Sequence, residues 1–162
     1  MVNNVSIERD AILALRGIIA SGVTDPISAT RSGSAHFIMT SWPDRPVQYP
    51  VIILDSRLGP STRMGANTEA IQVPVTIEAH VRSTNTKERD ILAGSVLDYI
   101  RISQFGNSPI SGTINQDLNH FRFLNAINLP PTSPEGEENV KSPKQRIQTK
   151  VLNFGYDFYT KG

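Results

Sequence analysis

The chain has 162 residues and a mass of 17.8 kDa, the size of a single domain, and its 38% apolar content supplies one core without approaching that of a membrane protein. Sixteen Lys and Arg against fifteen Asp and Glu leave a net charge of +1. That balance, with no dense basic stripe, argues against a protein that wraps nucleic acid, where phosphate neutralisation supplies most of the affinity.

Cysteine is absent, which removes disulfide scaffolds, cysteine-based zinc sites and thiol nucleophiles together. The segment Met1–Ser6 has no basic patch followed by an apolar run, so no signal peptide is expected. The longest strongly apolar run, Val51–Leu54, falls far short of the roughly 20 residues of a membrane helix.

Residues 6–20 read as a helix. Ser6 can accept from an orphan N–H of the first turn, Ile7, Ala11, Leu15, Ile18 and Ile19 recur at helical spacing, and Gly22 with Asp25-Pro26 stops the run. A strand is expected over Ala35–Thr40. The Trp42-Pro43-Asp44-Arg45-Pro46 segment reads as an irregular connection, because proline removes donors and biases the preceding residue away from helix. Tyr49-Pro50 then introduces the buried strand Val51–Asp55, and residues 56–69, with Gly59-Pro60, Gly65 and Asn67, read as a long hairpin connection.

Residues 70–82 carry the clearest pattern. Ile71, Val73, Val75, Ile77, Ala79 and Val81 alternate with Gln72, Pro74, Thr76, Glu78, His80 and Arg82. Such alternation predicts a long strand with one face on a core, a habit of antiparallel sheets. Pro74 cannot donate a ladder bond, so an edge, a bulge or a strand end is expected beside it.

Asn85 caps a second helix, with Glu88 placed three residues on as in a capping box. Leu92, Val96, Tyr99 and Ser103 give it an inner face, widened by Ile91, Ser95 and Ile100, and it is expected to end near residue 102, before Gly106-Asn107-Ser108-Pro109. Short strands are expected around Ile110–Ile114 and Arg122–Ala126. Residues 128–143, with four prolines, an acidic cluster and few apolar residues, predict a mobile loop. A last strand runs from about Ile147 to Tyr159. Leu152, Phe154, Tyr156 and Phe158 alternate on one face, while Ile147, Thr149 and Val151 have the opposite parity, which predicts a bulge near residues 151–152. The order predicts one α+β domain over residues 1–162, with two main helices packed on one face of an antiparallel or mixed sheet.

Chemistry is sparse. His36, His80 and His120 belong to no ligand pair, and no nucleophile elbow, phosphate loop or dinucleotide fingerprint occurs. Arg31-Ser32-Gly33-Ser34-Ala35-His36 is rich in Gly and Ser but lacks the strand before and helix after it that a phosphate cradle needs. No catalytic residue, metal ligand or cofactor is assigned, and no enzyme is expected. A small hydrolase or nucleotide-binding enzyme would require a pocket of perturbed titratable groups.

The arrangement of an amphipathic helix, the strand Tyr49-Pro50-Val51-Ile52-Ile53, a turn-rich hairpin, a long alternating strand and Ser83-Thr84-Asn85-Thr86 leading into a helix with Arg89-Asp90, Ala93, Val96 and Asp98-Tyr99-Ile100-Arg101 resembles the tail terminator (tail completion) proteins of long-tailed bacteriophages. The resemblance covers residues 6–102 and the final strand. It implies helices packed on a sheet and a ring of identical subunits, a hexamer, that caps the tail tube, stops its polymerisation and joins the head. The implied partners are the chain itself, the tail tube protein and the neck or head-completion connector, with DNA passing the lumen without specific binding and no membrane contact. The implied location is the virion tail and neck, and the host cytoplasm during assembly. On this reading Arg57 and Arg63 of a protruding hairpin, and Gln72, Glu78, His80 and Arg82 of the polar strand face, are interface residues. The same polar face also fits one that simply meets solvent. A tail-tube subunit, or another neck or head–tail joining protein, is the alternative.

Overall fold

The computed structural model describes residues 7–33, 36–43, 47–63, 65, 70–105, 121–132 and 146–161. Among these residues two helices, α1 (Ile7–Gly22) and α2 (Thr86–Phe105), accompany six strands: β1 (Ile38–Met39), β2 (Val51–Leu58), β3 (Thr62–Arg63), β4 (Ala70–Ser83), β5 (Arg122–Thr132) and β6 (Ile147–Lys161). The strands form one sheet in the order β1-β2-β4-β6-β5, with β3 also pairing β4. All pairs are antiparallel except β1 with β2, so the sheet is mixed and the fold is α+β.

One face of this sheet carries the core. Ala11, Leu15 and Ile19 of α1 and Leu92, Ala93, Val96 and Ile100 of α2 pack on Val75, Ile77, Ala79 and Val81 of β4 and on Leu152, Phe154 and Tyr156 of β6. The alternation in β4 selects this face, since side chains of one parity share one side of a strand. In α2 the inner face is narrower than expected, because Ile91 and Ser95 lie exposed. The α2 cap is a relay. Asn85 Oδ1 accepts from Lys87 N–H at 2.8 Å, while Asn85 N–H donates to Ser83 Oγ and Ser83 Oγ donates to Glu88 Oε1 at 2.6 Å. Glu88 thus reaches the cap through a hydroxyl instead of directly, and α2 continues to Phe105. Ser6, Gly106–Pro109 and the strand expected at Ile110–Ile114 lie outside the described residues.

Beyond α1, Asp25 Oδ1 accepts from Ile27 N–H, and its carboxylate holds Arg31, whose side chain is 1% exposed and also donates to the carbonyls of Gln48 and Pro50. Arg31 is therefore a clamp between two loops. The Tyr49-Pro50 peptide is cis.

Several strands differ from the sequence reading. The strand expected at 35–40 shortens to Ile38–Met39 and pairs parallel to β2, because the chain enters the sheet there only long enough to bond Ile52 N–H to Phe37 O. The long connection expected at 56–69 is partly strand: β2 continues to Leu58, and β3 resumes opposite Ile71 and Gln72. Pro74 explains the gap between them. Gly59 N–H donates to Pro74 O, so Pro74 directs its bonding edge toward β2 and its missing N–H falls where β2 breaks. Gly59 is needed at that close approach, since a Cβ there would stand 2.7 Å from Pro74 Cγ. The irregularity expected beside Pro74 thus lies in the neighbouring strand, and β4 itself is central.

The loop expected at 128–143 begins later. β5 extends through Pro130 and Pro131 to Thr132, and 133–143 lie outside the described residues. An edge strand tolerates these prolines because its outer N–H groups have no ladder partner to lose. The bulge expected near residues 151–152 is absent, and β6 pairs β4 without a shift from Ser83↔Gln148 to Ala70↔Lys161. Ile147, Thr149 and Val151 take the opposite parity because the helix-free face is the buried one at this end of β6, where Gln148 and Lys150 on the helix side are only half-buried. The register shifts fall instead in β5, between Phe123 and Asn125 and between Leu129 and Thr132.

Candidate interaction surface on the helix-free face

Among the described residues, the second face of the sheet has no helix. Cross-strand rows on it run Val51–Arg82–Thr149–Leu129, Ile53–His80–Val151–Ile127 and Asp55–Glu78–Asn153–Asn125. The first two rows are dry at their centres: Val51, Ile53, His80, Arg82, Thr149 and Val151 are all buried. Trp42 covers them in part. Its ring meets His80 edge-on at a centroid distance of 4.8 Å, and the Arg82 guanidinium lies 5.6 Å from its centroid. The Trp-Pro segment that reads as an irregular connection is thus a cap on this face.

Polar groups within the rows are tied to one another. Arg82 donates from Nε to Thr149 Oγ1 at 3.2 Å and from Nη2 to Thr132 Oγ1 at 3.1 Å. Glu78 joins Arg57 at 2.7 Å and His80 Nε2 at 3.2 Å. Asn153 donates to Asn125 at 2.6 Å, and Arg122 pairs with Asp157 at 2.8 Å. Burial lowers the His80 pKa below its ordinary value, against the pull of Glu78 and Asp55 and with a small push from Arg82. Burial likewise lowers Arg82, opposed by Tyr49.

Four of the six residues singled out in the sequence come together here: Arg57, Glu78, His80 and Arg82. Gln72 shares the face but stands eight residues from His80, roughly 25 Å along the strand. Arg63 lies on the opposite face, since it pairs with Ile71 and has that residue's parity. Arg57 and Arg63 therefore do not flank one protruding connection. Arg57 is a strand residue opposite Thr76, and the two arginines point to different sides of the sheet. His80 and Arg82 are buried under Trp42, so the solvent-facing part of the network is Arg57 and Glu78.

The rim of this surface is apolar and was not singled out in the sequence. Trp42 is 46% exposed, Leu124 51% and Ile127 49%, and Leu129 is also exposed. Large apolar side chains left in water beside an ordered polar network mark a surface suited to a partner, here with the apolar residues at its rim. The signal available in the sequence was the alternation of Leu124, Ala126 and Asn128 with Asn125, Ile127 and Leu129, too mixed to mark a face.

Among the described residues, no group of three or more His, Cys, Asp or Glu side chains is placed to hold a metal ion, and no helix is long and apolar enough to cross a membrane. Two cavities, of about 500 and 480 Å³, open on the helix side near Gly22, and the charged pair lining the larger one, Asp25 with Arg31, is already engaged with itself. Neither a protein-family model nor a curated protein matches the chain.

Proposed function

We propose that this chain is a structural assembly protein that works by surface contact: a tail-terminator-like subunit that closes into a ring of six, caps the tail tube, stops its growth and provides the joint to the head. The observation that supports this reading is the helix-free face. It has an ordered polar network, Arg57–Glu78–His80, rimmed by the exposed side chains of Trp42, Leu124, Ile127 and Leu129. A surface built in this way suits a protein partner. The tube protein and the neck connector are the partners the reading assigns, with DNA passing through the lumen.

Arg57→Glu tests it. The substitution turns the Arg57–Glu78 pair into two like charges on a side chain that is 70% exposed, so the fold loses at most about 1 kcal/mol. At a desolvated interface, loss of one member of a charge pair costs about 2–5 kcal/mol. Virions assembled with this variant are expected to show tails of uncontrolled length or tails not joined to heads, while Arg63→Glu, on the other face, leaves them normal. Tails of normal length and attachment from Arg57→Glu refute docking through this face. A chain that stays monomeric both free and on tail tubes refutes the ring.

A further inference from the structure

The two edges of the sheet are not equally protected. On the β1 side, β2 extends past its two-residue partner, and its outward N–H groups follow from Ile52 N–H, which donates to Phe37 O. Ser56 has the same parity, and its N–H is taken by Asp55 Oδ1 at 2.9 Å while its hydroxyl donates to Glu8. At Ser56 that edge is closed by side chains. Among the described residues, the β5 edge has no such device in its middle. From Phe123 to Thr132 it has no charged residue, and all its residues are exposed. Natural edges normally carry lysines, inward charges or prolines against pairing. Here prolines stand only at Pro130 and Pro131.

The direction of the free backbone groups follows from the ladder. Pro74 bonds toward β2, so odd-numbered residues of β4 bond to β6, and through Ile77↔Phe154 the even-numbered residues of β6 bond back to β4. Asn153, Val151 and Thr149 then bond to Asn125, Ile127 and Leu129 of β5. Ala126 and Asn128 are left with N–H and C=O groups pointing away from the sheet.

We propose that β5 is a self-pairing edge, at which a second copy of this chain adds antiparallel through its own β5, with Ile127 on the two-fold axis. In that register Ala126 of each copy faces Asn128 of the other, and each such pair exchanges both backbone bonds. The irregular points coincide: Pro130, with no outward N–H, stands opposite Leu124, which lies within the β5 bulge. The regular ladder therefore runs from Asn125 to Leu129 in both copies. The uncharged strand meets its own copy without like-charge repulsion. The Ile127 side chains, 49% exposed in the single chain, meet across the axis on the helix-free face. Such a contact is isologous and closes at two copies, whereas a ring needs head-to-tail contacts, so it does not rest on the ring proposal.

The full chain contains no cysteine, which makes each introduced thiol unique. Under mild oxidation Ile127→Cys is expected to convert to a disulfide-linked dimer, since directly opposed residues of this kind of pair bring their Cβ atoms close to disulfide range. Asn125→Cys alone is expected to stay unlinked, but to link when mixed with Leu129→Cys. Native mass spectrometry of the unsubstituted chain is expected to show a two-copy species that Asn128→Pro abolishes, with far-UV circular dichroism unchanged because that N–H is not used within the subunit. A chain whose mass is unaffected by Asn128→Pro, an Ile127→Cys that remains unlinked, or an Asn125→Cys that links to itself each overturns the proposal. Loss of rings on tail tubes while Ile127→Cys still links would sink the ring reading alone.

Discussion

Trp42→Ala removes the cap from the centre of the helix-free face. The indole is 46% exposed, so about half of the 150–250 Å² that a buried aromatic removes from water is at stake, roughly 100 Å². At about 25 cal/mol per Å² that is about 2.5 kcal/mol, less what the alanine methyl retains. The edge-on contact with His80 and the Arg82 cation over the ring add about 1 kcal/mol between them. A loss of about 2–3 kcal/mol is expected, read by urea denaturation followed by far-UV circular dichroism, because Trp42 is the sole tryptophan and its fluorescence is removed with it.

The pH dependence gives an independent check. His80 has its pKa depressed by burial, against Glu78 and Asp55, so the folded state favours the neutral ring. The stability this group supports is present above the ordinary histidine value of 6.5 and is lost as pH falls through the depressed pKa. With Trp42 gone the ring is hydrated and its pKa returns toward 6.5, so the variant loses less on acidification. The difference between the two proteins is then larger at pH 8 than at pH 5. A loss under about 0.5 kcal/mol, the level of an ordinary surface substitution, refutes the capping role. A difference independent of pH refutes the coupling to His80.

Asp25→Ala leaves the Arg31 guanidinium buried without its carboxylate and is expected to cost about 3–5 kcal/mol, measured as a fall in denaturation midpoint. Burial raises the Asp25 pKa, but the Arg31 hydrogen bond, the Ile27 N–H and the Arg31 charge outweigh it and hold it below 3.8. The stability from this pair is therefore present above 3.8 and lost as pH falls through the depressed value, and an acid titration of the variant is expected to lack that component. Gly22→Ala places a Cβ in the Tyr99 ring and displaces the hydroxyl that meets Ser21 Oγ at 3.0 Å, at about 1–3 kcal/mol by thermal melting. Adding Tyr99→Ala to it is expected to cost little more, and full additivity in that double-mutant cycle would show that the ring is not the obstacle.

The elements legible in the sequence were those with one wet face and one dry face. α1 and β4 showed their periods because one stripe or parity is apolar and buried along nearly its whole length while the other is polar, even where His80 and Arg82 are buried. β6 was misread at residues 151–152 because its buried side changes there, from Thr149 and Val151 on the helix-free face to Leu152 on the helix face, and parity cannot separate a change of buried face from a bulge. β5 was half assigned to a loop because Pro130 and Pro131 are allowed at an edge, and its apolar residues lie exposed on both faces. Arg57, Glu78, His80 and Arg82 were legible as one strand-face cluster, since register follows from alternation. Trp42 was not, because a loop residue folding over a sheet from thirty-odd positions upstream leaves no periodic trace. The separation of Arg57 from Arg63 depended on where β2 breaks against Pro74, a detail of pairing that turn composition alone does not give.

The position of β6 has a consequence for how the chain acquires its shape. It is the latest of the described strands in chain order, yet it lies between β4 and β5. During synthesis α1, β2, β4 and α2 emerge first, and their pairings are comparatively local. β4 meanwhile presents the bonding edge of Val73, Val75, Ile77, Ala79 and Val81 with nothing beside it until Ile147–Lys161 appears. The ladder from Ser83↔Gln148 to Ala70↔Lys161 then forms between segments far apart in the chain, and closing so large a loop precedes any gain from its bonds. β5, made earlier, can join the sheet only after β6 is seated. Seating β6 on the β4 edge is thus the long-range step on which completion of the sheet depends. Until then the unpaired edge of β4 is the part of the sheet most open to aggregation, whatever the stability of the finished fold.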